Sequence, residues 1–344
     1  MKKNIFIIIF LSLFWNCSTK PDISFDEIFF NANDINSYEV KSIEISNICD
    51  SIIQSNYVLL VNDKLIFNEL GPKGIFHAVN VNDDKYIGLF GDKGRGPGEM
   101  ILPSTLAKED NSVLQVFDIQ QRKVVLFNVD SLPNKNTFIK EFILKKLNGA
   151  FAAFVLDEKA YSLNFIKADY RIYISDLEGN AIKGIGMLPD NDNKIPNNVF
   201  AEGHPARIQY NDNIIALSYT TTPWIQIFNK QKKLWVTVKG PEHFSSIFDE
   251  NKAKNNSALA YTKESKVAYT DIRITKKYVY ALYSGKSIYD SNFNDDIIYI
   301  FDLKGNPIKK LILDKGVLSF DVYKDKYIYG LSFGEKNHLL KFEI

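Results

Sequence analysis

One pattern of apolar and polar positions recurs six times along the chain. An apolar strand ends in a short polar turn of Asn, Asp, Glu, Thr or Lys, and a strand rich in aromatic and β-branched residues follows at once. The first instance is Tyr57 to Val61, the turn Asn62-Asp63-Lys64, then Leu65-Ile66-Phe67. The others turn at Glu109-Asp110-Asn111, Asp157-Glu158-Lys159, Asn211-Asp212-Asn213, Thr275-Lys276-Lys277 and Lys324-Asp325-Lys326. Apolar alternation around such turns is the signature of a β-hairpin. The turn centres lie 47, 48, 54, 64 and 49 residues apart. A period of that size with several strands per repeat is what a propeller blade requires.

The second half of each repeat fits the same reading. Ile172 to Lys183 matches Ile298 to Lys309, and each reads as a strand, a Gly-Asn turn and a return strand. Glycine supplies the positive φ that such turns need. Four strands per repeat, A to D from the channel outward, predict an all-β, six-bladed β-propeller of four-stranded blades. The sixth repeat runs out of chain after its third strand, near His338 to Ile344. The free strand Tyr38 to Ile45 is expected to supply the fourth and close the ring, removing an exposed sheet edge.

The N-terminus changes the picture. Lys2 and Lys3 precede an apolar run from Ile5 to Trp15, too short to span a bilayer but suited to a signal peptide. The run ends at Asn16-Cys17-Ser18, which resembles the lipobox of bacterial lipoproteins, with Asn16 and Phe14 in place of the usual small residue and leucine. That resemblance implies diacylation of Cys17. The domain reading is therefore a signal peptide over 1–16, a lipid-anchored tether over 17–37 and the propeller over 38–344, exported and held at the outer membrane. Cys49 is the other cysteine, so no intramolecular disulfide is expected in the mature chain. The balance of 42 basic against 41 acidic residues argues against a nucleic-acid partner.

Chemistry is sought on the B–C and D–A loops. Gly91-Asp92-Lys93-Gly94-Arg95-Gly96-Pro97-Gly98-Glu99 stands out, with four glycines in nine residues. The chain here resembles the six-bladed, TolB-like propeller lipoproteins of Bacteroidetes, whose Gly-x-x-Gly-x-Gly-Pro-Gly-Glu stretch it matches position by position. The resemblance implies a fold and a compartment but no reaction. Such a loop could cradle an anion on backbone N–H groups with Arg95 adding charge, or form a tight crossing between blades in which Arg95 and Glu99 pair with neighbours. His204 and Arg207, at the entry to the fourth A strand, could face the channel mouth. Asp271 and Arg273, alternate residues of the fifth A strand, line the channel or form a surface pair. The four histidines fall in different repeats without metal-binding spacing, and no motif calls for a metal or cofactor.

The candidate ligand-binding residues are thus Arg95, Glu99, His204, Arg207, Asp271 and Arg273, with Cys17 the lipidation site. The leading functional expectation is a membrane-tethered binding or scaffold module of the envelope, taking a glycan, a peptide or an envelope protein on its loop face. The alternative is a hydrolase or lyase at the channel mouth.

Overall fold

The computed structural model describes residues 23–45, 55–68, 75–109, 112–134, 136–165, 169–188, 206–247, 261–290, 292–334 and 337–344. Cys17, Cys49 and His204 lie outside them.

Three N-terminal strands, β1 (Ser24–Phe29), β2 (Ser37–Val40) and β3 (Ser42–Glu44), precede the blades. Blade I contains β4 (Val58–Val61), β5 (Lys64–Asn68), β6 (Phe76–Asn80) and β7 (Lys85–Phe90). Blade II contains β8 (Pro103–Lys108), β9 (Val113–Asp118), β10 (Lys123–Asn128) and β11 (Phe138–Ile143). Blade III contains β12 (Ala150–Leu156), β13 (Lys159–Asn164), β14 (Ile172–Ser175) and β15 (Ala181–Ile185). Blade IV contains β16 (Ala206–Tyr210), β17 (Ile214–Tyr219), β18 (Trp224–Asn229) and β19 (Leu234–Lys239). Blade V contains β20 (Tyr269–Ile274), β21 (Tyr278–Tyr283), β22 (Asp295–Asp302) and β23 (Pro307–Val317). Blade VI contains β24 (Ser319–Tyr323), β25 (Tyr327–Ser332) and β26 (His338–Glu343). All six expected hairpins are present. Among the described residues, three of their turns carry the left-handed residues that tight hairpins favour: Asn62, and the pairs Asp157-Glu158 and Lys324-Asp325.

The blade strands are apolar on both faces because each sheet is covered by a neighbour on either side. The described residues form six apolar clusters, one at each blade interface. Alternation sorts each strand between two of them. In β17, Ile214 and Ala216 pack toward blade V, while Ile215 and Leu217 pack toward blade III.

The N-terminal segment departs from expectation in its detail. The stretch Tyr38 to Ile45 does not act as one strand. β3 is the fourth strand of blade VI, antiparallel to β26 with Glu44 opposite Leu340, and so closes the ring. β2 instead adds a fifth strand to blade V, parallel to β23. Within the stretch read as tether, β1 adds a fifth strand to blade IV, parallel to β19 from Ser24 opposite Leu234 to Phe29 opposite Lys239. These outer edges accept further strands because their N–H and C=O groups have no other sheet partner. Phe30 anchors the strap between blades IV and V, its ring 5.5 Å from both Tyr299 and Phe301.

Residues 244–247, which follow blade IV, carry no helix.

Candidate functional site

Each A strand starts at the loop face and runs inward to the turn face. The first residues of the six A strands therefore ring the channel mouth. A cavity of about 710 Å³ opens there, with lining residues from all six blades. Its size lies in the range of small-molecule sites.

The floor is polar. Arg273 and Asp271 alternate on β20, so both side chains point into the channel, where each is almost fully buried and they form an ion pair. Of the two readings open for this pair, the structure takes the channel lining. Arg273 crosses to blade I, donating from Nη2 to the Val58 carbonyl at 2.8 Å and to Ser319 Oγ at 3.2 Å. Its Nε lies 3.8 Å from Asp321 Oδ2. Asp271 accepts from Ser319 Oγ at 2.7 Å and from the amides of Ile272 and Phe320. Asp321 accepts from the Leu60 amide at 2.6 Å. Burial works against the Arg273 charge, but Asp271, Tyr57 and Asp321 outweigh it and raise its pKa. Gln209 spans the opposite side, donating to Tyr57 Oη at 2.8 Å and the Leu106 carbonyl at 3.2 Å. Burial, with Asp271 nearby, pushes the Tyr57 phenol up to about 12 even though Arg273 opposes it.

Arg207 stands above this floor. Its guanidinium carbon lies 5.9 Å from the Tyr57 ring centre, and its Nε donates to the Thr270 carbonyl at 3.3 Å. The side chain is exposed to the cavity, and its two terminal nitrogens have no partner among the described residues. Lys286, the other lining cation, is bound to Asp295 at 3.1 Å. Asp290 is exposed at the rim. Apolar side chains also line the cavity: Leu102 and Ile119 from blade II, and Phe151 and Phe165 from blade III, the last two stacked at 4.2 Å. This arrangement can hold both a charge and an apolar body. Asp271 already serves four donors, and Arg273 already donates to carboxylate, hydroxyl and carbonyl oxygens.

The structure thus brings together Arg207, Asp271 and Arg273, and takes Arg95 and Glu99 elsewhere. The Gly91–Glu99 loop folds over the outer part of blade II and lines no part of the cavity. Its glycine N–H groups at 94, 96 and 98 are taken by acceptors within the protein. Glu99 Oε2 accepts from the Gly96 amide at 2.7 Å, the Gly98 amide donates to Glu141 at 3.0 Å, and the Gly94 amide donates to the Met100 carbonyl at 3.1 Å. The loop's own carboxylate therefore fills the cradle an anion would use. The glycines make room for it: a Cβ on Gly94 would lie 2.0 Å from Glu99 Oε2. Arg95 is exposed and pairs with no described residue. The motif is an inter-blade crossing.

Tyr57, Gln209, Ser319 and Asp321 were not singled out as site residues. The signal lay in the A strands: a polar residue inside an otherwise apolar inner strand, as Gln209 in Ala206 to Tyr210 and Asp321 in Ser319 to Tyr323.

Comparison with known proteins agrees with the architecture. No curated protein matches the chain. Among solved structures, a member of the DUF4221 family from Bacteroides vulgatus aligns at TM-score 0.57 and 12% identity, covering 90% of this chain and 97% of that one. A Bacteroides fragilis protein described as exported aligns at TM-score 0.53 and 14% identity, covering 93% and 99%. Residues 35–325 match the family described as TolB-like 6-blade propeller-like, spanning every blade from the N-terminal closure to the last hairpin, and the chain belongs to that family.

Proposed function

We propose that this protein is a binding module of the bacterial envelope, exported, tethered through Cys17 to the outer membrane, and taking at its channel mouth a small amphipathic ligand with an anionic group. The observation that carries the ligand class is Arg207. Its Nε is fixed by the Thr270 carbonyl, and it lies at a cavity that Leu102, Ile119, Phe151 and Phe165 also line. A guanidinium edge of that kind suits a carboxylate, phosphate or sulfate. The Phe151–Phe165 stack and Leu102 would take the apolar part, as in a peptide C-terminus with a large side chain. Export and tethering are supported by the apolar N-terminal run before Cys17 and by the description of the Bacteroides fragilis relative as exported. The hydrolase or lyase reading gains no support from a site in which Asp271 and Arg273 serve each other and Arg95 lies elsewhere.

Titration with N-acetyltryptophan and with its carboxamide tests the reading. The acid is expected to bind about tenfold more tightly, equivalent to about 1.4 kcal/mol. Arg207→Gln should erase the difference, and Phe151→Ala should weaken both compounds. Equal binding of acid and amide, or binding of neither, would sink the proposed ligand class.

A further inference from the structure

The register of β1 fixes where an anchor must leave the propeller. β1 is parallel to β19, and the Ser24 amide donates to the Lys233 carbonyl at 2.9 Å. β19 begins at the C–D turn of blade IV, so Ile23 lies on the turn face, opposite the channel mouth. Six positions separate Ile23 from Cys17. Fully extended, they reach at most roughly 20 Å. A six-residue strand is itself about 20 Å long, so a tether of that length would be exhausted in climbing the rim to the loop face.

The surface around Ile23 has its own character. A cleft of about 460 Å³ between blades III and IV is lined by Lys159, Lys183, Lys230 and Lys233, with Asp157 and Asp212 also present. Asp157 is taken up by Lys230 at 3.0 Å. Ile182, 54% exposed, adds an apolar lip. The C–D turn here reads Lys230-Gln231-Lys232-Lys233, with Lys232 and Lys233 exposed. The same turns of blades I and III read Asn82-Asp83-Asp84 and Asp176-Leu177-Glu178. The basic turn belongs to the blade at which the N-terminal segment enters the sheet.

We propose that the turn face of blade IV, at its seam with blade III and away from the acidic outer turn of blade III, rests on an anionic bilayer, with Lys159, Lys183, Lys232 and Lys233 among the lipid phosphates, and that the channel mouth points away from the membrane. Lysines within a Debye length of an anionic surface are drawn to it, and the short tether keeps them there. This inference rests on the lipid-anchor reading of Cys17 and is independent of the channel-mouth ligand.

The test uses the full chain carrying Cys49→Ser, purified from membranes and reconstituted into phosphatidylcholine vesicles with or without phosphatidylglycerol. A fluorophore is placed at Gln231→Cys on the turn face or at Leu102→Cys at the channel mouth, and quenching by spin-labelled lipid is read. The label at 231 is expected to be quenched several-fold more than the label at 102. Reversing charge with Lys232→Glu and Lys233→Glu should reduce quenching at 231 in phosphatidylglycerol vesicles only. Equal quenching at both positions, or stronger quenching at 102, overturns the orientation. Unchanged quenching in the charge-reversed variant removes the lysines from the contact. Mass spectrometry of the N-terminal fragment separates the two readings. An unmodified cysteine at 17 ends the anchor and this inference together, whereas an acylated one with the reversed quenching pattern ends the orientation alone.

Discussion

At Asp176 and Asp302 one turn is built twice from the same residues. Each aspartate accepts through Oδ1 from two backbone amides, those of Glu178 and Asn180 or of Lys304 and Asn306, and each takes the Asn side chain on Oδ2. Gly179 and Gly305 sit at φ +91° and +92°, where a side chain is strained, and a Cβ on Gly179 would come within 2.6 Å of the Leu147 amide nitrogen. This repeat was legible because every bond in it is local. Asp118 is the opposite case. It pins the crossing into blade II, accepting from the amides of Ile101 at 2.5 Å, Gln121 at 2.8 Å and Leu102 at 3.2 Å. Burial pushes its carboxyl up, but these amides and the Gln121 side chain more than offset that, leaving its pKa below the ordinary value. A depressed carboxylate contributes stability above its unfolded pKa of about 4, lost as pH falls through the lower folded value. The urea midpoint should therefore drop more steeply below about pH 4 in the wild type than in Asp118→Asn, a variant that starts less stable near neutrality. Parallel profiles would show that Asp118 is not the titrating group.

At the scale of elements, the hairpins were readable and the strap was not. A hairpin carries its own turn, and its apolar alternation is imposed by two covering blades. β1 pairs with a strand about two hundred residues away, in parallel, with no turn to announce it. Its sequence Ser24-Phe25-Asp26-Glu27-Ile28-Phe29 is mostly exposed, so it lacks the apolar density of a blade strand. What holds the strap is Phe30, 4% exposed among the aromatic rings of blade V, together with buried Ile35. Close approach of the strap also dictates Gly240, where a Cβ would lie 2.3 Å from the Phe30 carbonyl oxygen. Phe30→Ala should cost about 3–5 kcal/mol by urea denaturation. A chain starting at Tyr38, which lacks β1, Phe30 and Ile35, should melt well below one starting at Ile23. Equal melting temperatures would show the strap to be dispensable.

At the scale of the whole molecule, the ring is held together at its axis by polar side chains as well as at its six interfaces by apolar ones. Arg273 ties blade V to blade I, Asp271 ties V to VI, and Gln209 ties IV to I and II. Arg273→Met would leave Asp271 and Asp321 buried without their cation, and breaking such a pair costs about 3–5 kcal/mol. Adding Asp271→Asn to that variant should restore part of the loss, because one of the two uncompensated buried charges is removed and only Asp321 is left. Loss of less than about 1 kcal/mol on Arg273→Met, within the range of exposed ion pairs, would show that the network contributes little.

The sequence by itself determined the all-β class, the number of blades, the position of each hairpin and the need for an N-terminal strand in the last blade. Those features rest on periodicity and local turn chemistry, which a linear chain displays directly. Only the tertiary structure decided which polar residues meet. Arg95 and Arg207 both belong to loop-face segments, yet one lies over the outer part of blade II and the other at the channel mouth. Asp271 and Arg273 alternate on β20 either way, but only ring closure places Val58, Ser319 and Asp321 against them. The path of the N-terminal segment across blades IV, V and VI belongs to the same class. Contacts between residues far apart in the chain depend on how the blades are arranged around the axis, and no local pattern encodes that arrangement.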